Sequence, residues 1–310
     1  MSVLVIGAAN VDIGGRSGEV FRPHDSNPGR VTSSLGGVGF NIARNLCLLG
    51  VDTAMLTVLG DDSFAAEIRR EAARIGLDMQ CCPTLSGERT GTYLYLLDEQ
   101  GDMVAALNDM RIYERMTPTF LRDNLAAVDR AELVVLDANL PRESIEYLCA
   151  NCTAPIVCDP VSAVKAEKLR RVLGKLTVLK PNAVEAEALT GIAVTDGESL
   201  RRAAKKLLAS GLRQVYISCG INGLYAEARA GEACHVPCPP IEVVNATGGG
   251  DALTAALAAC FLRGGSLTET ARSAIAAGAF ACTAETTVHP QMSWENIEKL
   301  SVKSEKRKEK

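Results

Sequence analysis

Three consecutive glycines stand directly before an acidic residue in the segment NATGGGD, residues 245–251. The almost unbroken apolar stretch that follows predicts a helix from about 251 to 263. The bare backbone N–H groups of Gly248, Gly249 and Gly250, together with the positive end of that helix, could hold an anion such as a phosphate. Taken alone, a triple glycine is equally consistent with a flexible turn.

Asp251 lies in the same turn and limits the kinds of reaction that the site could perform. A carboxylate would repel a resting phosphate, so storage of phosphate is a poor explanation. The pairing makes sense if a hydroxyl group lies between the two, because Asp251 then accepts its proton while the glycine amides stabilise the group under attack. We expect the helix N-terminus to keep Asp251 ionised and weakly basic, which the loose transition state of phosphoryl transfer tolerates. A simple N-cap aspartate is the alternative.

A second constellation is the segment KPNAVEAE, residues 180–187. Pro181 is predicted to start a helix, and Asn182 and Glu185 lie one turn apart on one face of it. The Asn182 amide could meet a phosphate oxygen while the Glu185 carboxylate holds Mg²⁺ or its waters. The alternative is an ordinary helix start whose acidic residues suit the helix dipole.

A third constellation is the segment LGGVGFNIARN, residues 35–45. Gly36 and Gly37 permit close backbone approach, and Asn41 is expected in the first turn of a helix. With Asn10 and Asp12 from the end of the first predicted strand, they offer amides, a carboxylate and bare N–H groups to the vicinal hydroxyls of a sugar. A tight turn without a ligand remains the alternative.

The elements that must position these residues are strands and helices that alternate along the chain. Short runs rich in β-branched residues are followed by longer segments with a helical pattern. This alternation predicts an α/β fold, a doubly wound, mostly parallel sheet flanked by helices. Ligands of such sheets collect beyond the carboxyl ends of the strands. That rule selects the following polar residues: Asn10, Asp12, Asn139, Asp159, Asn182 and Ser218.

Two segments, about 12–35 and 88–113, break the alternation and are predicted to form a small antiparallel lid over the site. The second reads as a hairpin turning near Gln100 and Gly101. We expect one domain over residues 1–300 that carries this lid, followed by a charged C-terminal tail at 301–310.

Bulk properties exclude several classes of protein. The net charge of −4 with interspersed signs gives no reason to expect a nucleic-acid partner, and no apolar run reaches the length that spans a membrane. Eleven cysteines without a disulfide pattern favour a reducing cytoplasm. Neither G-x-G-x-x-G after the first strand nor a Walker loop is present, which disfavours a dinucleotide oxidoreductase and a P-loop enzyme.

The motifs together resemble those of the ribokinase-like (PfkB) carbohydrate kinases. NATGGGD is similar to the family's D-T-x-G-A-G-D, GGVGFN to its G-G-x-G-x-N and NAVE to its N-x-x-E, in the same order over roughly residues 3–290. Within the family, the segments SNPG, LNDM, DPVSA and LKPNAVEAEALTGI are most similar to members that phosphorylate pseudouridine. The resemblance implies ATP- and Mg²⁺-dependent phosphorylation of the 5′-hydroxyl of that nucleoside.

The resemblance also implies a role for each matching residue. Asp251 would be the catalytic base and Gly248, Gly249 and Gly250 the anion hole. The other implied contacts are: for the ribose, Asn10, Asp12, Gly36, Gly37, Asn41 and Asn139; for the nucleobase edge, Asn108 and Asp109; for phosphate and Mg²⁺, Asn182 and Glu185; along ATP, Ser218, Gly220, Gly223 and Thr247, with a helix at 278–286 near the adenine.

Departures from the family pattern qualify these expectations. Asn245 replaces an acidic residue that helps many relatives bind a monovalent cation, which makes potassium activation doubtful. Val38 stands where ribose-phosphorylating relatives often carry Lys, which argues against free ribose. Kinases for another nucleoside or a free sugar, and a non-catalytic ligand sensor, stay open as alternatives. Family analogy suggests a homodimer through the lid.

Overall fold

The computed structural model describes residues 1–305, and its strands and helices alternate along the chain. The strands are β1 (Val3–Ile6), β2 (Asn10–Ser17), β3 (Gly29–Gly36), β4 (Thr53–Leu56), β5 (Leu59–Gly60), β6 (Thr84–Leu85), β7 (Thr92–Leu97), β8 (Met103–Asp109), β9 (Leu133–Asp137), β10 (Ile156–Asp159), β11 (Val178–Leu179), β12 (Gln214–Ser218), β13 (Leu224–Ala228) and β14 (Ala233–Val236). The helices are α1 (Val38–Leu48), α2 (Ser63–Ile75), α3 (Pro118–Asp123), α4 (Leu125–Asp129), α5 (Arg142–Asn151), α6 (Ala163–Ala166), α7 (Ala183–Thr190), α8 (Gly197–Ala209), α9 (Gly249–Leu262), α10 (Leu267–Ala281) and α11 (Trp294–Glu305).

An eight-stranded sheet runs through the molecule in the order β14-β13-β12-β11-β10-β9-β1-β4. The strands from β12 to β4 in this order are parallel, and β13 and β14 join antiparallel at one edge. The parallel strands are short apolar runs such as VLVI and LVVLD that are buried along their whole length. The predicted doubly wound, mostly parallel sheet is confirmed.

Alternate side chains of β1 enter different cores, as the period of two in a strand requires. Val3 and Val5 pack in one cluster with residues of α1, α2, α9 and α10, whereas Leu4 and Ile6 pack in a second cluster with residues of α3, α5, α7 and α8. Helices therefore cover both faces, and the carboxyl ends of the strands are left for the polar residues.

The lid is a separate four-stranded sheet in the order β3-β2-β7-β8. The expected hairpin between β7 and β8 is present, and its turn uses Gly101 at a φ of 97°. The lid is not wholly antiparallel as the sequence suggested, because β2 and β7 come from separate excursions of the chain and pair in parallel. A small parallel pair, β5 and β6, lies apart from both sheets.

The lid has two chemically different faces. Arg16, Arg30 and Tyr95 lie on its core-facing side, where they line a cleft of about 670 Å³ together with Glu285 of the core. The opposite, outer face carries Val31 and Leu107, whose exposed fractions of 75% and 71% are large for apolar residues. Successive residues of a lid strand, such as Arg30 and Val31, therefore alternate between the cleft and the outer surface.

Three element boundaries differ from the sequence-based expectation. Helix α9 begins at Gly249 rather than near 251, because Gly248 supplies a left-handed N-cap at a φ of 88°. Helix α7 begins at Ala183, with Asn182 rather than Pro181 at its cap. The predicted tail is helical as far as Glu305, and residues 306–310 lie outside the described residues. None of the helices within residues 1–305 is long and apolar enough to cross a membrane.

Candidate active site

The N-terminus of α9 is a bend of three glycines, Gly248–Gly250, that has little room for side chains. A Cβ atom at Gly248 would collide with the backbone oxygen of Thr287, and one at Gly249 would lie 2.8 Å from Cys282 Sγ. Gly248 also needs its positive φ, which other residues rarely adopt. The glycine bend therefore lets surrounding backbone pack closely and leaves N–H groups at the start of a 14-residue helix.

Asp251 is fixed beside the glycine bend by Asn41, whose Nδ2 donates a 2.9 Å hydrogen bond to Asp251 Oδ2. Burial, reinforced by the nearby Asp159 carboxylate, raises the pKa of Asp251 to about 8, although Asn41 and Lys180 act in the opposite direction. The expectation of a weakly basic Asp251 is therefore wrong. Desolvation outweighs the helix N-terminus, and the ionised form is a stronger base than an ordinary aspartate.

A buried ion pair lies next to Asp251. Lys180 follows β11 and its Nζ lies 2.8 Å from Asp159 Oδ2, with both side chains almost inaccessible to solvent. Thr254 of α9 donates a second hydrogen bond to the same oxygen, at 2.9 Å. Burial alone would lower the pKa of Lys180, but the carboxylates of Asp159, Glu185 and Asp251 raise it, so the amine is an ammonium. Sequence reasoning quoted Lys180 within a motif without assigning it a role.

The polar groups predicted to hold a sugar lie near the start of α1, the helix that carries Asn41. Asn10 Nδ2 donates to Asp12 Oδ1 at 2.6 Å, and burial raises the pKa of Asp12 to about 6, against the effect of this hydrogen bond. A Cβ atom at Gly36 would collide with the Asp12 carboxylate, and one at Gly37 would lie 2.8 Å from Asn10 Oδ1. The two glycines therefore give these side chains their space, and all four residues converge near the start of α1.

Asp137 is a residue that the sequence analysis missed. Its fully buried carboxylate accepts backbone hydrogen bonds from Ala8, Gly39 and Asn139, each at 2.8 Å. It thereby ties the ends of β1 and β9 to the first turn of α1. An acidic residue at the end of the apolar strand LVVLD was the available signal, since a buried carboxylate needs several partners.

A polar cavity of about 480 Å³ lies between the lid and the core. Its walls include Asn108 from the lid and Asn139, Lys165 and Lys168 from the core. Lys165 Nζ donates to Asn139 Oδ1 at 2.6 Å. The cavity brings the predicted Asn108 and Asn139 together and adds Lys165, which follows closely after the segment DPVSA in the sequence.

Asp109 does not join this cavity. Its carboxylate forms a two-pronged ion pair with Arg111, with both N–O distances at 2.9 Å, and is half exposed. The physical reason is strand geometry, because successive residues of β8 point to opposite faces and Asn108 takes the core-facing side. Of the two residues predicted to contact the nucleobase, Asn108 therefore lines the cavity and Asp109 does not.

An apolar cavity of about 410 Å³ begins at Gly249 and Gly250 and extends between the loops after β12 and β14 and the end of α10. Ser218 and Gly220, which the sequence analysis assigned to ATP, line it together with apolar residues such as Cys238, Ile275 and Cys282. The helix expected at 278–286 ends at Ala281, but Gly278 and Ala279 do line the cavity.

Gly223 and Thr247 are not among the residues that line this cavity. A Cβ atom at Gly223 would collide with the backbone oxygen of Val236, so this glycine is required by strand packing. The backbone N–H of Thr247 donates to Asn245 Oδ1 at 2.9 Å. Asn245 Nδ2 in turn donates to the backbone oxygen of Glu285 at 2.9 Å, so this side chain joins two loops.

Asn182 and Glu185 form a reciprocal capping box at the start of α7. The Asn182 N–H donates to Glu185 Oε2 at 2.9 Å, and the Glu185 N–H donates to Asn182 Oδ1 at 2.8 Å. Burial and the Asp159 carboxylate raise the pKa of Glu185, while Lys180 lowers it. Within residues 1–305, no group of three or more acidic, His or Cys side chains is arranged as a metal site.

Asp251 is hydrogen-bonded to Asn41 of α1, and Gly36 and Gly37, which pack against Asp12 and Asn10, lie just before the start of the same helix. The glycine bend directly before Asp251 contributes Gly249 and Gly250 to the lining of the apolar cavity. A base between a polar pocket and an anion-binding helix end can take a proton from a hydroxyl in the first while the second holds the group that the hydroxyl attacks.

Comparisons with known proteins agree with this geometry. The family model "pfkB family carbohydrate kinase" matches residues 1–294. Pseudouridine kinase of Escherichia coli is 36% identical over 95% of both chains, and the uncharacterized sugar kinase YeiI of the same organism is 32% identical over 94% of this chain and 81% of its own. The structure of Arabidopsis thaliana ribokinase complexed with ribose and ATP superposes with a TM-score of 0.85 at 23% identity, covering 97% of this chain and 98% of that one.

Proposed function

The chain belongs to the pfkB family of carbohydrate kinases, a family of phosphotransferases that act on an alcohol group, and from this premise we propose that it phosphorylates the 5′-hydroxyl of pseudouridine with ATP. The observation that carries the proposal is the position of Asp251, which is hydrogen-bonded to Asn41 and lies in the first turn of α9 beside the glycine bend. The proposal assigns the nucleoside to the polar residues near the start of α1 and under the lid, and ATP to the apolar cavity.

In the proposed reaction, the nucleoside 5′-oxygen forms a new bond to the γ-phosphorus of ATP. The bond between that phosphorus and the β–γ bridging oxygen breaks, ADP leaves, and the hydroxyl proton passes to Asp251. The amides of Gly248, Gly249 and Gly250 stabilise the charge on the transferred group. The pKa of about 8 suits Asp251 to this role, since a base is most effective when its pKa is near the working pH.

The apolar cavity is proposed to take the adenine of ATP. Ser218 and Gly220 lie at its polar edge and Ile275 on its apolar wall, and its volume of about 410 Å³ is in the range of ordinary ligand pockets. The likeness in fold to a ribokinase complexed with ribose and ATP supports ATP as the nucleotide. Gly223 and Thr247 are assigned supporting roles in the adjacent loops instead of contacts with the nucleotide.

Magnesium is proposed to bind together with ATP. Of the residues present, Glu185 offers the carboxylate that such an ion or its waters would need. Glu185 offers a single buried carboxylate beside Lys180, and Asn182 Nδ2 takes no part in the capping box. Mg²⁺ usually takes one or two protein carboxylates and completes its shell with substrate phosphates and waters. When bound, it would neutralise charge on the phosphates. Glu185 would hold one of its waters, and Asn182 would donate to a phosphate oxygen.

The polar cavity is proposed to hold the uracil ring. Asn108 and Asn139 can each donate and accept, and Lys165 donates, which matches a ring with N–H groups and carbonyl oxygens. Asn10, Asp12 and the bare backbone of Gly36 and Gly37 would take the ribose hydroxyls. Pseudouridine is preferred over other nucleosides because the 36% identical relative is a pseudouridine kinase.

A kinase for a free sugar or another nucleoside is the second candidate, since YeiI, described as a sugar kinase, is nearly as similar. The lid favours a nucleoside, because Asn108 reaches a cavity that a free sugar would leave unfilled. A non-catalytic sensor is less well supported, because it would not need the elevated pKa of Asp251.

Initial rates with ATP and Mg²⁺ for pseudouridine, uridine, adenosine, ribose and fructose test the substrate. The proposal expects the highest kcat/KM for pseudouridine. A higher value for any of the other four would replace the proposed substrate, and no ADP formation with any of them would favour the sensor.

Two further parts of the proposal concern the surroundings of the reaction. The Asn245 bridge between Thr247 and Glu285 is proposed to take the place of a monovalent cation, so rates in potassium and in tetramethylammonium salts should agree.

The reaction is proposed to occur in the cytoplasm, where the eleven free cysteines would stay reduced.

A further inference from the structure

The ammonium group of Lys180 faces the glycine bend. A Cβ atom at Gly250 would lie 3.3 Å from Lys180 Nζ, closer than real Cβ atoms usually approach a neighbour. The absence of a side chain at 250 therefore keeps the space between the ammonium and the first turn of α9 open. An anion held by the amides of this turn would lie within reach of the same ammonium.

Lys180 is surrounded by carboxylates. Asp159, Glu185 and Asp251 all raise its pKa, and Lys180 in turn lowers the pKa of Glu185 and of Asp251. A nucleoside triphosphate would bring further negative charge towards the buried Asp159 carboxylate and towards Asp251. A fixed positive charge at this point offsets that repulsion.

Asp159 has two hydrogen-bond donors besides the lysine. Its Oδ1 accepts the N–H of Val161 at 2.9 Å, and its Oδ2 accepts the hydroxyl of Thr254 at 2.9 Å. Buried ion pairs in general add little net stability over apolar replacements of both partners. A purely structural account therefore explains poorly why a buried ammonium is directed at the glycine bend.

We propose that Lys180 is a further catalytic residue, whose Nζ contacts the transferred phosphoryl group across the gap left by Gly250, while Asp159 positions it. The inference rests on the proposed phosphoryl transfer. Lys180 keeps its protons throughout and forms no covalent bond. It binds the γ-phosphoryl group in ATP, stabilises its charge during transfer, and keeps a larger fraction of Asp251 ionised before the hydroxyl attacks.

The first test compares Lys180→Met, Lys180→Arg and the exposed control Lys299→Met, assayed with ATP and the best substrate of the wild-type protein. Loss of one charge-stabilising donor is expected to lower kcat of Lys180→Met about 100-fold. The KM for the nucleoside should change less than threefold, because the lysine lies on the phosphate side. Lys180→Arg should recover part of kcat, and Lys299→Met should match the wild type.

A pH profile tests whether Lys180 keeps Asp251 ionised. Without the ammonium, Asp251 should ionise at higher pH, so the acidic limb of the kcat profile of Lys180→Met should shift upwards from that of the wild type. An unmoved limb would contradict this part of the proposal.

Nucleotide binding gives a readout that does not require turnover. In calorimetric titrations, the wild-type protein should bind ATP more tightly than ADP, and Lys180→Met should reduce that ratio about tenfold, in line with a lost hydrogen bond to a charged group. An unchanged ratio together with a kcat within threefold of wild type would overturn the proposal.

Removing one partner of a buried ion pair can prevent folding, so the double variant Asp159→Asn/Lys180→Met is needed as well. The proposal expects this neutral pair to fold and to remain about as slow as expected for Lys180→Met. Recovery of wild-type kcat in the double variant would show that the lysine serves only to neutralise Asp159. A wild-type protein that forms no ADP with any substrate would instead contradict the proposed function itself, so the two failures are distinguishable.

Discussion

At the scale of single residues, Asp251 connects the chemistry to the fold. Its carboxylate is held by Asn41 and lies near Asp159, and burial raises its pKa to about 8. The same desolvation that makes Asp251 a better base makes its ionised form costly to the folded protein. Activity and stability should therefore respond to this one group in opposite directions as the pH rises.

Asp251→Asn should lower kcat by about 10³-fold, because the amide cannot accept the hydroxyl proton. Nucleoside affinity, measured by calorimetry, should stay within threefold, since asparagine has nearly the same shape. Asp129→Asn, an exposed change at the end of α4, is the matched control and should keep full activity. Unchanged turnover of Asp251→Asn would remove the proposed base.

The pH dependence of the wild-type protein follows from the raised pKa. The folded pKa is about 8 and the reference value is 3.8, so the stabilising proton on Asp251 is fully effective below 3.8 and is lost as the pH rises through 8. Compared with wild type, Asp251→Asn should gain thermal stability progressively between about pH 4 and pH 8 and no further above it. The wild-type kcat/KM should rise over the upper part of that range. Equal melting temperatures of the two proteins at pH 5 and pH 8 would contradict the assignment.

Residue types and spacing were sufficient to find the glycine bend, Asp251, Asn41 and the strand-end polar residues. They did not reveal Asp137 or Lys180 as parts of the site. Both follow apolar runs and have no periodic neighbour to mark them, and their partners are distant in the chain, such as Gly39 for Asp137. The pKa of Asp251 was also mispredicted, because desolvation depends on packing around the side chain, which a local motif does not show.

At the scale of elements, strand β8 explains which lid residues face the cleft. Asn108 lines the polar cavity, and Asp109 on the opposite face pairs with Arg111. The alternation of TYLYLL and VAALND already implied that neighbouring residues point in opposite directions. The helix starts were predicted only approximately. Helix α9 was expected to begin near 251, but it begins at Gly249 with Gly248 as its cap. Helix α7 was expected to begin at Pro181, but it begins at Ala183 with Asn182 as its cap.

Asn108→Ala should raise the KM for the nucleoside about tenfold, because a direct hydrogen bond to the ring is lost. Asp109→Asn is the neighbouring control and should leave both kcat and KM within twofold of wild type. Steady-state kinetics at saturating ATP measure both. A larger effect from Asp109→Asn than from Asn108→Ala would contradict the assignment of faces.

At the scale of the whole molecule, the mostly parallel sheet and the helices on both of its faces follow from the alternation of buried strands and helices. The mixed pairing in the lid did not follow, because β2 and β7 are far apart in the chain and their direction is set by the core beneath them. The outer face of the lid, with Val31, Leu96 and Leu107, is apolar and exposed. Exposed apolar patches are typical of protein–protein contacts, and we propose that a second copy of this chain covers this one.

Leu107→Lys tests this homodimer. Sedimentation should give the wild-type protein twice the chain mass of 32.8 kDa and the variant the mass of one chain, since a buried charge opposes the interface. Val184→Lys changes an equally exposed apolar residue away from the lid and should remain dimeric. A monomeric wild-type protein would exclude the dimer.

The most direct test of the central claim is the product formed from ATP, Mg²⁺ and pseudouridine. Phosphorus NMR and mass analysis should find pseudouridine 5′-phosphate and ADP in equal amounts with the wild-type protein, and about 10³-fold less of both with Asp251→Asn in the same time. Phosphate on another hydroxyl, or ADP formed without a phosphorylated nucleoside, would contradict the account.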